Sequence, residues 1–206
     1  MKSKTEARRP GTVLSSQKIK GLKKVLRGNN CNLRRFGTED PQLEKLLMEL
    51  FNEEEILPFL NREYTSNNTK RKIRAWLRKK VDHPVEVWYT IRHGKNCAGY
   101  ICFKWRKHFD GACEISTAIG KDYRGLKLGF ESSKLLIDHV KSLNIFPHLV
   151  AYVHIKNKKA ANNIRKLGFA KSNRLHGLIT KQFYGEPAKK SGDRIYDLYA
   201  ASGKIS

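Results

Sequence analysis

Between Ile119 and Gly129 the chain reads Ile-Gly-Lys-Asp-Tyr-Arg-Gly-Leu-Lys-Leu-Gly, a run that holds three glycines and three cations. An extended apolar pattern precedes it, and Phe130, Leu135, Leu136, Ile137 and Val140 follow at helical spacing, so the run ends a strand and opens a helix. The first N–H groups of a helix have no intrahelical acceptor and lie at the positive end of its dipole, which suits them to phosphate. Gly125 and Gly129 let the backbone come close to a ligand, and Arg124 and Lys127 add charge. An ordinary turn has the same composition. The run lacks both the Gly-Lys-Ser/Thr ending of a nucleoside-triphosphatase loop and the Gly-x-Gly-x-x-Gly dinucleotide pattern, which weighs against an ATPase or a Rossmann domain.

The elements around this loop predict an α+β fold, an α/β sandwich. A short strand is expected at Asn32–Phe36, then a helix capped by Thr38 or Asp40 with Leu43, Leu46, Leu47, Leu50 and Phe51 at core spacing. A shorter helix near Glu53–Leu60 and a third carrying Ile73, Trp76 and Leu77 follow. Beyond Pro84 the period becomes two: Val85–Arg92, Ala98–Trp105 and Ala112–Ile119 read as an antiparallel meander. After the glycine loop and its helix come a strand at His148–His154, a helix from about Lys158 to Lys166, a strand after Gly168 and a last strand at Arg194–Ala200. Residues 1–30 carry nine Lys or Arg and one acid, Glu6, with Pro10-Gly11 breaking any early helix; they are expected to be a basic flexible arm ahead of one domain over 31–206.

A second stretch, Asn157 to Phe169, reads Asn-Lys-Lys-Ala-Ala-Asn-Asn-Ile-Arg-Lys-Leu-Gly-Phe. In this order and separation, the two stretches resemble the Gcn5-related N-acetyltransferase (GNAT) superfamily over roughly Asn32 to Ala200. The first is similar to the family's Arg/Gln-x-x-Gly-x-Gly/Ala motif, through Arg124 and Gly129 with Lys127 at the fourth position. The second is similar to its Asn-x-x-Ser/Ala helix ending in Leu-Gly-Phe, through Asn157, Ala160 and Leu167-Gly168-Phe169. The resemblance implies a mixed, mostly antiparallel sheet flanked by helices. In it, the strands Cys113–Ile119 and His148–Val153 splay apart to admit acetyl coenzyme A (acetyl-CoA). It also implies that Ile119 pairs with the pantetheine arm and that the amides of Arg124, Gly125, Leu126, Lys127, Leu128 and Gly129 hold the pyrophosphate. Asn157 would hold the cofactor or cap the next helix.

Acetyl transfer to an amine needs an uncharged nucleophile, a base for its proton and stabilisation of the developing oxyanion. The resemblance makes Glu114, on the strand entering the loop, the candidate base; a salt bridge is its plain alternative. Ser116, two residues along the same face, is a candidate for orienting water or substrate, or a packed hydroxyl. Many relatives carry a thiolate-protonating Tyr seven residues after the motif Asn, where this chain has Ile164. Tyr152 and His154, on one face of the neighbouring strand, are the substitute donors, against plain packing roles.

The chain of 206 residues holds 42 Lys and Arg against 19 Asp and Glu, a formal net charge of +23, which favours polyanionic partners. Lys70, Arg71, Lys72, Arg74, Arg78, Lys79 and Lys80 crowd the third helix as a candidate nucleic-acid face, with a merely solvated basic face as the alternative. The leading expectation is therefore an acetyl-CoA-dependent N-acetyltransferase, nearest to the branch that modifies ribosomal-protein or other protein N-termini. Its acceptor amine would be ribosomal or RNA-associated, with RNA contact through the arm and the basic helix. The alternative is a weak or inactive acetyltransferase-fold component of a ribosome or other ribonucleoprotein. No run of about 18 apolar residues predicts a membrane span. A cytoplasmic location is expected, with a mitochondrial or other organellar matrix as the alternative if the arm is a presequence. Cys31, Cys97, Cys102 and Cys113 have neither zinc nor redox spacing and read as reduced structural thiols, with no metal expected. Leu175–Pro187 could line the acceptor site or a dimer edge; the sequence selects no oligomeric state.

Overall fold

The period-two runs after Pro84 form the centre of one sheet, and the helical runs cover its two faces. A computed structural model describes residues 21–59, 68–81, 83–106, 112–173 and 196–203. Strands β1 (Val25–Arg27) and β2 (Asn32–Arg35) lead to helix α1 (Pro41–Leu50) and helix α2 (Lys70–Val81). The meander β3 (Glu86–His93), β4 (Asn96–Arg106) and β5 (Ala112–Ile119) precedes helix α3 (Leu128–Ser142). Strand β6 (His148–His154), helix α4 (Lys158–Lys166) and strands β7 (Ala170–Lys171) and β8 (Tyr196–Ser202) complete the described elements. Their order across the sheet is β1-β2-β3-β4-β5-β6-β8-β7, antiparallel throughout except for the parallel pair β5–β6.

Alternation decides which helix each strand residue meets. Tyr89, Ile91, Ile101, Phe103, Cys113, Ile115, Leu149 and Ala151 pack with Leu128, Leu136, Ile137 and Val140 of α3 and with Ile164 of α4. The residues between them, Trp88, Tyr100 and Cys102, meet Leu43, Leu46, Leu47 and Leu50 of α1 and Ile73 and Leu77 of α2. Asp40 caps α1, its Oδ1 accepting from the Leu43 N–H at 3.0 Å, with Pro41 in the first turn.

Two expectations change. Residues 21–30 do not all belong to an arm: β1 pairs with β2, and Leu22 and Leu26 are buried in the core. The helix expected near Glu53–Leu60 reduces to a single 3-10 turn at Leu57–Phe59. Pro58 supplies no N–H and disfavours helical geometry in the residue before it. All four cysteines are buried and unbridged. Burial first, with Glu131 adding to it, pushes the Cys31 thiol up to about 11, and burial pushes those of Cys97 and Cys102 to about 12. Residues 1–20 and the Leu175–Pro187 segment lie outside the described residues.

Candidate functional site

Strand β6 separates from β5 while keeping its other neighbour. Its pairing with β5 is limited to Cys113↔Leu149 and Glu114↔Val150, whereas its pairing with β8 runs from His148 to His154. The sheet therefore opens beyond Glu114, and Ser116 through Ile119 of β5 are only half-buried there. The opened strand leads into the glycine loop. A 3-10 turn at Lys121–Tyr123 is followed by Gly125, whose φ of +91° suits a residue without Cβ, and by Lys127, the residue before α3.

Among the described residues no oxygen accepts from the amides of Gly125 through Gly129; the first bonds of the helix are those of Phe130 and Glu131 to the Lys127 carbonyl. Five open amides stand at the mouth of a 15-residue helix, an arrangement that suits an anion. Lys127 holds φ 59° and ψ 8°, left-handed geometry that costs a side-chain-bearing residue about 1–2 kcal/mol. That explains why glycine is usual at this motif position. After allowing for the extra freedom of an unfolded glycine, Lys127→Gly should raise stability by about 0.5–1 kcal/mol in urea unfolding. A loss of stability would show that the lysine side chain contributes more than its backbone costs.

Arg124 is held against the protein. Its Nη1 and Nη2 each bond a carboxylate oxygen of Glu53 at 2.6 Å, and its Nε donates to the Ile119 carbonyl at 3.1 Å. The Arg124 bond is the main cause that holds the Glu53 carboxyl below its usual range, against a smaller opposing effect of burial. This fork ties the loop to the chain beyond α1. Asn157 caps α4 through Oδ1, which accepts from Ala160 N–H at 3.0 Å. Ile164 is a core residue at 8% exposure.

Glu114, Ser116, Tyr152 and His154 share one face of the splayed pair, because Glu114 lies beside Val150 and the others follow at steps of two. Glu114 is 9% exposed, and its Oε1 stands 3.7 Å from Lys104 Nζ, so the salt-bridge alternative is present, on a central strand. The same register continues outward: Glu86, Lys104 and Glu114 form one row across β3, β4 and β5. Lys80 Nζ reaches Glu86 Oε2 at 2.8 Å from α2, and Trp88 Nε1 donates to that oxygen at 2.9 Å. The ring of Trp88 lies 5.1 Å from Lys80 Nζ and 5.4 Å from Lys104 Nζ. His154 packs between Phe59 and Tyr196 at centroid distances of 5.2 and 5.3 Å, and its Nδ1 accepts from Lys156 N–H at 3.2 Å.

The sequence model of the Acetyltransferase (GNAT) domain matches residues 30–170. The chain belongs to this acetyltransferase family. Among solved structures, RimL, the ribosomal L7/L12 alpha-N-protein acetyltransferase in complex with coenzyme A, is similar with a TM-score of 0.69 at 14% identity, over 86% of this chain and 97% of that one. The acetyltransferase from Salmonella typhimurium that modifies the N-terminal serine of L7/L12 gives 0.66 at 14% identity, over 86% and 98%. The microcin C7 self-immunity acetyltransferase MccE with acetyl-CoA and AMP gives 0.63 at 13% identity, over 85% and 93%. Curated proteins give no match.

In this GNAT chain the basic helix divides into outward and inward charges. Arg71, Lys72, Arg78 and Lys79 are exposed; Lys70 and Arg74 are exposed but pair with Glu44 of α1 at 3.6 and 2.7 Å. Lys80 leaves the candidate nucleic-acid face, since it is buried against Glu86. A signal for this was present: Ile73, Leu77 and Lys80 stand at i, i+4 and i+7, so Lys80 extends the apolar stripe. Sequence reading missed Glu53, Lys104 and Phe59, whose sites are assembled by tertiary contacts. Among the described residues there is no cluster able to hold a metal and no helix long and apolar enough to cross a membrane.

Proposed function

We propose that this GNAT member transfers the acetyl group of acetyl-CoA to a primary amine on a ribosomal or RNA-associated acceptor. The observation that carries the reading is the continuity of the splay beyond Glu114 with the open amides of Gly125–Gly129. These residues fit a pyrophosphate, because their amides have no acceptor among the described residues and Lys127 adds positive charge. The cosubstrate supplies an acetyl thioester; the chain supplies the rest. The amides of Gly125 through Gly129 hold its phosphates, and the unpaired edge of β5 from Ser116 to Ile119 guides its arm. Glu114 takes the proton of the incoming ammonium or amine, directly or through water, with Ser116 orienting that path. A thiol of pKa near 8.5 leaves as thiolate without a strong acid, so Ile164 in place of tyrosine is compatible with turnover. Tyr152 and His154 remain donors for the final proton.

The acceptor class is supported by the net charge of +23, which would repel a free polyamine. The second reading, a weakly active or inactive ribonucleoprotein component, draws on the Lys104–Glu114 ion pair and on Ile164.

Calorimetric titration with acetyl-CoA, after nuclease and high-salt treatment, tests the cofactor site. A Cβ at Gly129 would stand 3.4 Å from Ile119 Cγ1, an ordinary contact, so Gly129→Trp should fold while filling the mouth of the proposed phosphate site. Saturable binding by the wild type, at least tenfold weaker in the variant, is the expected result. A folded wild type that takes up no acetyl-CoA would sink the enzyme reading and favour the second.

A further inference from the structure

At the opposite end of the sheet from the splay, the face of β1, β2 and β3 on the α1 side carries a groove of about 510 Å³. It is lined by Arg27, Asn32, Arg34, Arg92 and Lys95, together with Val25 and Gly94, and by no carboxylate residue. The sheet register builds it. Arg27 pairs with Asn32 and Asn32 with Arg92, which puts the three in one row across neighbouring strands, while Arg34 stands two residues along β2 on the same face. Lys95 enters from the β3–β4 turn, where Gly94 takes φ +58°.

Arg27, Arg34 and Lys95 are exposed, and none of them is in an ion pair among the described residues. Arg92 is fixed from behind: its guanidinium bonds Asp40, and its Nη1 donates to Gln42 Oε1 at 2.6 Å. An adjoining hollow of about 380 Å³ shares Arg34 and Arg92 but contains Glu39 and Asp40, so of the two only the first groove is lined without a carboxylate. Like charges set side by side in a sheet repel, and an anionic partner relieves that repulsion.

We propose that this groove is a docking site for the phosphodiester backbone of single-stranded RNA, the element that brings an RNA-associated acceptor to the enzyme. The spacing suits successive phosphates: neighbouring strands are about 4.8 Å apart and alternate residues about 6.6 Å. Arg27, Arg34 and Lys95 thus present their charges over roughly 10 Å, around an Arg92 already held by Asp40. A flexible strand can lower several phosphates into a concavity, whereas a duplex offers only its convex surface. The residues that line the groove belong to strands and a turn, with no helix or ribbon among them to enter a duplex groove. An acidic peptide would supply the charge but not the closely repeated phosphate oxygens that guanidinium forks take in pairs. A lipid surface would require more apolar contact than Val25 alone gives.

The inference rests on the RNA-associated part of the proposed function, and its test reads binding alone. Fluorescence anisotropy of a labelled 20-nucleotide oligouridylate would be followed against KCl for wild type, for Arg27→Ala/Arg34→Ala/Lys95→Ala, and for Arg71→Ala/Arg78→Ala/Lys79→Ala on α2. Each phosphate contact contributes about 0.7 to the salt slope, so the groove variant should lose about 2 in slope and on the order of 100-fold in affinity at 0.1 M salt. The α2 variant should lose distinctly less. Acetyl-CoA titration of the groove variant should match the wild type, which separates a failure here from a failure of the acetyltransferase reading. Arg34→Glu alone, at an exposed position, should weaken RNA binding even if the triple variant folds poorly. Unchanged RNA binding in the groove variants overturns the proposal, as does a larger loss in the α2 variant. Equal or tighter binding of duplex DNA, polyglutamate, tripolyphosphate or anionic vesicles at matched charge would likewise overturn it.

Discussion

Replacing Glu114 by Gln should lower the rate of acetyl transfer about 10²- to 10³-fold while acetyl-CoA affinity stays within about twofold. The two effects separate because the carboxylate lies at the start of the splay, whereas the proposed phosphate contacts are the amides of Gly125 to Gly129, eleven or more residues along the chain. Glutamine keeps an oxygen for Lys104 Nζ, which stands 3.7 Å from Glu114 Oε1, and preserves the volume of a side chain that is 9% exposed. The lysine also remains near the Trp88 ring and beside Glu86 in the strand register. The substitution therefore removes a proton acceptor with little change in packing. Rate should be measured by release of free thiol from acetyl-CoA with a screened acceptor amine, alongside a thermal melt of the same sample. A variant that keeps a third or more of the wild-type rate would leave Glu114 with the ion pair as its role. A variant that loses rate only in proportion to lost folded protein would point the same way.

The ion pair bears on what kind of base this could be. Glu114 Oε1 stands 3.7 Å from Lys104 Nζ, which leaves the other carboxylate oxygen for a partner, so a water between Glu114 and the amine, with Ser116 as a further partner, suits the proposed base. Lys104 is then a positioning residue: it fixes the carboxylate at the mouth of the splay. Its neighbours Glu86 and Lys80 fix Lys104 in turn through charges that alternate across three strands.

Strand β5, the glycine loop and α3 were legible because hydrophobic period changes from two to helical at Gly120, and both periods are long enough to register. The splay was legible only through the paired motifs, since nothing in Cys113–Ile119 or His148–Val153 taken alone says that two pairs of residues will touch and the rest will not. Strand β1 was hidden for a different reason. Three residues in a basic segment show no period, and they are strands only because β2 offers an edge and Leu22 and Leu26 reach the core. Arg124 illustrates the limit for side chains. Its motif position points to phosphate, but Glu53, 71 residues away, takes both ends of its guanidinium. Charge counting likewise assigned all seven cations of α2 to one face, although helical spacing already set Lys80 among the buried positions.

That buried lysine carries the largest expected effect on stability. Lys80→Met should destabilise the fold by about 3–5 kcal/mol, because it leaves the Glu86 carboxylate inside the protein without its closest counter-charge. The two side chains are each 11% exposed and meet at 2.8 Å, with Trp88 beneath both. Much of that cost is the unpaired charge rather than the worth of the pair, so Lys80→Met/Glu86→Leu should regain at least half of it. The remainder includes the Trp88 N–H, which loses its acceptor. The pH dependence has a definite sign. Burial pushes the Glu86 carboxyl up, but the hydrogen bond and charge of Lys80, together with the charge of Lys104 and the Trp88 hydrogen bond, outweigh it, and the carboxyl sits below its usual 4.5. A folded-state value below the unfolded one gives stability that is fully present above about 4.5 and is lost as pH falls through the folded value. Urea unfolding from pH 7 down to pH 3 should therefore show a steeper acid loss in the wild type than in the double variant, which has no carboxylate there to protonate. Parallel curves for the two proteins would mean that the Lys80–Glu86 pair contributes nothing to acid sensitivity. In that case the row from Glu86 to Glu114 would be held by packing around Trp88 rather than by its alternating charges.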